Sequence, residues 1–156
     1  VLFYLRDAAE GLRRACRHLQ RGGVVAFAEP DFTEGLNAPP RSTEFARVRS
    51  WAFSAFTRAG AEPRMGHKLR QAFVEAGLPA PEMQLFTPIG GGPDWVGYGY
   101  TAESIRSVLP WLIEYGIATE AEVDIETLAD RLRHEVTSQQ GTATLYNQVA
   151  AWTRKP

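Results

Sequence analysis

Apolar positions recur at helical spacing in some stretches and run together in short strand-like blocks in others, and their order along the chain predicts a mixed α/β fold. Asp7 and Glu10 have capping-box spacing, and Leu12, Ala15, Cys16 and Leu19 follow at helical intervals up to Gly22-Gly23. Val24-Val25-Ala26-Phe27-Ala28 is a continuous apolar run too short for a helix, which predicts a strand buried on both faces. It is expected to close on Glu29-Pro30-Asp31-Phe32, because Pro30 has no amide hydrogen for a further ladder bond. A loop ending at Pro39-Pro40 leads to a helix capped by Ser42 or Thr43, with Phe45, Val48, Ala52, Ala55, Phe56 and Ala59 on its stripe up to about Gly60.

A second helix from about Gly66 to Ala76 carries Leu69 and Phe73 and stops at Gly77, and Met83 to Ile89 reads as a strand. The glycine-rich connection Gly90-Gly91-Gly92-Pro93 precedes the aromatic cluster Trp95, Tyr98 and Tyr100. Thr101 is placed to cap a helix bearing Ile105, Val108, Leu109 and Leu112, which Pro110 is expected to kink or break. Thr119 and Glu122 again have capping-box spacing, with Ile125, Leu128, Leu132 and Val136 continuing an amphipathic helix, and Thr142 to Thr153 is the last strand. Residues 1–156 read as one unit without repeats, residues 95–138 forming a helical insertion.

Composition narrows the class without changing this pattern. With 44% hydrophobic and 22% charged residues the chain is globular in character. A net charge of −1 gives no basic field for phosphate backbones, so nucleic acid is not an expected partner. No apolar run is long enough to span a bilayer, and the single cysteine, Cys16, on an apolar helix side, fits a buried thiol in a reducing, cytoplasmic setting. No His/Cys/Asp/Glu spacing resembles a metal site.

The stretch Val1-Leu2-Phe3-Tyr4-Leu5-Arg6-Asp7, the helix after it, and Leu19-Gln20-Arg21-Gly22-Gly23-Val24-Val25-Ala26-Phe27-Ala28-Glu29-Pro30-Asp31 resemble the middle of class I S-adenosylmethionine-dependent methyltransferases. Gly66-His67-Lys68-Leu69, Phe73 and Ala76-Gly77-Leu78 look like the helix before that family's sixth strand. Val149-Ala150-Ala151-Trp152-Thr153-Arg154-Lys155-Pro156 looks like its seventh. The resemblance runs through the chain in the family's order. It implies a partial Rossmann-like methyltransferase sheet of strands five, seven and six with flanking helices, and methyl transfer from S-adenosylmethionine to a small-molecule acceptor. The family's Gly-x-Gly-x-Gly turn and ribose-binding acid have no counterpart here, and Gly90-Gly91-Gly92, followed by Pro93, does not replace them. The chain therefore reads as the C-terminal, substrate-side fragment of such an enzyme.

Candidate site residues follow from position. Ligands of open α/β sheets sit beyond the carboxyl ends of parallel strands, which favours Glu29, Asp31 and Phe32. His67, at a helix start, could take a proton from a substrate hydroxyl or amine, giving the order Glu29, Asp31, His67 for a catalytic base. The resemblance places Phe3 and Tyr4 beside the methionine end of the cofactor. Phe32, Trp51, Phe56, Trp95 and Tyr98 are candidates to line an apolar substrate pocket. Without a fourth strand, Val24 to Ala28 would keep one uncharged edge unpaired, so a homo-oligomer is expected. The alternative reading is a non-catalytic dimerisation or ligand-binding module whose aromatic helices form the interface.

Overall fold

A computed structural model of the chain describes residues 1–38 and 42–156, and the Pro39-Pro40 end of the expected loop lies outside them. The fold is mixed α/β. In chain order it contains a 3-10 turn (Leu2–Tyr4), α1 (Ala8–Arg17), β1 (Val24–Asn37), α2 (Thr43–Arg58), α3 (Met65–Glu75), β2 (Glu82–Phe86), β3 (Ile89–Gly90), α4 (Gly97–Glu114), α5 (Glu120–Val123), α6 (Ile125–Ser138) and β4 (Ala143–Arg154). The four-stranded sheet has the order β1-β4-β2, with β3 also on β4. β4 is antiparallel to β2, pairing Glu82 with Trp152 and Phe86 with Gln148. It is antiparallel to β1 as well, because Lys155 N donates to Gly23 O while Asn37 N, at the far end of β1, donates to Thr144 Oγ1.

Residue contacts divide the chain into two units, Val1–Thr33 with Gly60–Phe86 and Asn147–Pro156, and Glu34–Ala59 with Thr87–Tyr146. In the first unit α1 packs on α3. Asp7 caps α1 by accepting from Glu10 N at 2.8 Å, whereas the Glu10 carboxylate turns to Arg13 and Arg14 and leaves the capping box half made. Lys155 Nζ closes the other end of α1 on the Cys16 and Leu19 carbonyls, and Cys16 is buried. Phe27 of β1 meets Phe73 of α3 edge to face at 6.4 Å.

β1 departs from expectation in two ways. It runs through Pro30 to Asn37. Gly23 O faces β4 while Phe32 N donates away from β4 to Pro63 O at 2.9 Å, and alternate residues face opposite edges, so Pro30 falls on the edge where no ladder bond is needed. Nor is β1 buried on both faces: Val25, Glu29 and Asp31 are buried, but Val24, Ala26 and Ala28 are exposed. The short apolar run mimics a two-sided strand because alanines are tolerated on an open face. Glu29, Asp31 and Phe32 accordingly lie inside β1 and not just past its end, and the neighbour of β1 among the described residues is the expected antiparallel last strand, β4.

In the second unit α2, α4 and α6 pack on one another around Phe45, Ala55, Leu112, Leu128 and Leu132. Ser42 Oγ caps α2 by accepting from Phe45 N at 2.9 Å, and Glu135 of α6 accepts from Thr43 N at 2.7 Å and Glu44 N at 3.0 Å. Three sequence expectations are corrected here. The Met83 to Ile89 strand is two strands, β2 and β3, separated at Thr87-Pro88, whose Pro88 carbonyl accepts from Leu145 N. α4 starts at Gly97, so Thr101 is a buried helical residue and not a cap, and the helix continues through Pro110 to Glu114. Packing of Ile105, Val108 and Leu112 on either side of the proline holds the helix together. The Thr119–Glu122 capping box is complete, but it serves the short α5, and Asp124 at φ 39° separates α5 from α6.

Candidate functional site

Six of the candidate residues come together in the first unit. Glu29, 1% exposed, accepts from Val1 N at 2.8 Å and Leu2 N at 2.7 Å on one oxygen and from Phe3 N at 3.3 Å on the other. Its carboxylate thereby anchors the Leu2–Tyr4 turn against β1. Phe3 is buried, with its ring 4.7 Å from Tyr4 edge to face and 5.9 Å from Phe32, and its carbonyl accepts from Glu62 N. Phe32 is buried, whereas Tyr4 is 61% exposed.

Two residues further along β1, Asp31 is fully buried. One carboxylate oxygen accepts from Thr33 N at 3.0 Å and from the Thr33 hydroxyl, and the other accepts from His67 N at 3.3 Å and stands 2.6 Å from His67 Nδ1. Burial pushes the Asp31 carboxyl upward, but the bonds from Thr33 and His67 outweigh it and hold the group below the usual carboxylate range. An ionised carboxylate only accepts hydrogen bonds, so the Nδ1 proton must point at Asp31 and the lone pair of the neutral ring sits on Nε2. The His67 side chain is 63% exposed, and among the described residues Nε2 has no protein partner. The arrangement can take a proton from a group brought to Nε2.

The approach that makes this contact depends on Gly66. A Cβ at Gly66 would lie 2.8 Å from Val149 Cγ2 and 3.1 Å from Asp31 Cβ, so only glycine lets the start of α3 lie this close to β1 and β4. Thr33 carries no motif of its own and Gly66 was read only as the start of a helix, so sequence reasoning gave neither of them a part in the site. A separate groove of about 370 Å³ between α1 and α3 is edged by Arg6, Asp7, Glu62, Lys68 and Glu75, none of them a candidate residue.

The other four candidates belong to the second unit, and three of them take part in two aromatic pairs. Phe56 meets Trp111 at 6.1 Å, and Trp95 meets the fully buried Tyr98 at 5.1 Å, both edge to face. Trp95 also lies against Gly90 and Gly97, where a Cβ would collide with its ring. Trp51 is buried with the Arg47 guanidinium 5.9 Å over its ring. Burial pushes the Tyr98 hydroxyl upward, and that hydroxyl and the one on Thr101 are buried without a hydrogen-bond partner among the described residues. Among the described residues no group of three or more His, Cys, Asp or Glu could hold a metal, and no helix is long and apolar enough to cross a membrane. No protein-family model matches the chain, and no curated protein is significantly similar to it.

Proposed function

We propose that the chain is the substrate-side part of an S-adenosylmethionine-dependent methyltransferase acting on a small molecule. The observation that carries this reading is the strand order β1-β4-β2 with an antiparallel β4, which is the order expected of strands five, seven and six in the family the sequence resembles. The turn bearing Phe3 and Tyr4 is tied to β1 through Glu29, consistent with a wall beside the methionine end of the cofactor. Methyl transfer is an in-line displacement governed by positioning, so a site of packed aromatics with one proton acceptor is chemically sufficient for it.

The test is transfer of labelled methyl groups from S-adenosylmethionine to a panel of small acceptors by the protein expressed from its whole reading frame. Labelled product that depends on the acceptor is expected, and no transfer to any acceptor overturns the reading. The 156 residues alone are expected to bind S-adenosylmethionine very weakly, because they contain neither a Gly-x-Gly-x-Gly turn nor an acid to hold the ribose. Micromolar affinity in a calorimetric titration would contradict that. A non-catalytic dimerisation module is the second reading, favoured by the exposed apolar residues Val24, Leu85 and Phe86 of the first unit's sheet.

A further inference from the structure

Glu29, Asp31 and His67 are the carboxylates and the imidazole of the first unit's cluster, and their surroundings separate the roles of these three. The two oxygens of Glu29 accept from the backbone N–H groups of Leu2 and Phe3 and the residue is buried, so it is not presented to a ligand. Asp31 is equally enclosed, with its oxygens taken up by Thr33 and His67. His67 alone combines exposure with an unengaged acceptor atom, and the buried carboxylate behind it fixes which nitrogen that is.

Resting on the methyl-transfer reading, we propose that His67 Nε2 is the proton acceptor of this site, that Asp31 is its positioning residue, and that the molecule methylated presents an O–H or N–H group. In the step, the acceptor's proton passes to Nε2 while the lone pair on its oxygen or nitrogen attacks the methyl carbon. The bond from that carbon to the sulfonium sulfur breaks with its electron pair left on sulfur, giving S-adenosylhomocysteine, and the imidazolium then returns the proton to water. An acceptor already anionic, or one with no proton to lose, gains nothing from the pair, so the Asp31–His67 arrangement selects among acceptor classes by chemistry instead of shape.

Two measurements test this separately from the methyl-transfer reading. Nitrogen chemical shifts of the histidine rings in the 156-residue chain should show neutral His67 with its proton on Nδ1, and Asp31→Asn should mix the two tautomers while leaving the other two histidines, His18 and His134, unchanged. A proton predominantly on Nε2 in the unaltered chain overturns the assignment. In the protein from the whole reading frame, His67→Gln should lower transfer to phenols, alcohols or amines by about 10²–10⁴-fold. It should lower transfer to thiolates or tertiary amines far less, and the phenol, alcohol and amine arms separate oxygen from nitrogen acceptors. Equal loss across all classes, or none, overturns the proposal. Absence of transfer to any acceptor by the unaltered protein overturns the methyl-transfer reading and with it the proposed step, while the tautomer result stands on its own.

Discussion

Asp31 illustrates how one side chain ties stability to pH. Its carboxyl is held below the ordinary range in the fold, so it stabilises the folded state above the unfolded value of about 3.9 and loses that contribution as pH falls through the lowered folded value. Asp31→Asn should therefore be less stable than the unaltered chain at pH 7, and the difference in melting temperature should narrow as pH falls below about 4. A constant difference across that range would mean that the carboxylate is not what the variant removes. Glu135 acts at the same scale through helix capping. It accepts from the first two backbone N–H groups of α2 and from Ser42 Oγ at 2.5 Å, and those bonds hold its carboxyl below the usual range against the upward push of burial. Glu135→Ala should lower stability by about 1–2 kcal/mol, measured by denaturant unfolding. No change would mean that water replaces the carboxylate at no cost.

At the scale of elements, α3 is placed by a glycine. Gly66→Ala should cost about 1–3 kcal/mol, because the methyl meets Val149 and Asp31 and the start of α3 must move away. The same movement should lengthen the Asp31–His67 contact, so the His67 ring shifts should change with the loss of stability. A fully stable variant with unchanged ring shifts would show that the sheet yields instead. Helix periodicity was legible wherever an apolar stripe met a cap, as in α1 and α2. The end of β1 was not legible, because Pro30 terminates a strand only where its missing N–H faces a partner, and that depends on which edge it occupies. Continuity across Pro110 was equally hidden, since it comes from packing on both sides of the proline. Of the site, the acidic residues and His67 could be found by type and position. Their pairing could not, because Asp31 and His67 are 36 residues apart and meet through the fit of an unmarked glycine.

For the whole molecule, the first unit has a sheet face bearing Val24, Ala26 and Ala28, and β1 ends the strand order with an edge free of ladder bonds among the described residues. An uncharged edge of this kind recruits other strands. Concentration-dependent self-association of the 156-residue chain by itself is therefore expected in sedimentation, and Ala26→Lys should weaken it, whereas a monomer at high concentration for both proteins would argue that the face is tolerated in water. The place of β4 also bears on how the protein is made. β1 and β2 never pair with each other, and each reaches the sheet only through β4, the last strand in the sequence. Asn37 and Thr144, which bond across β1 and β4, are 107 residues apart. While the polypeptide is being synthesised, the helices of the second unit up to Ser138 can form from local contacts, but the described pairings of β1, β2 and β3 all wait for β4.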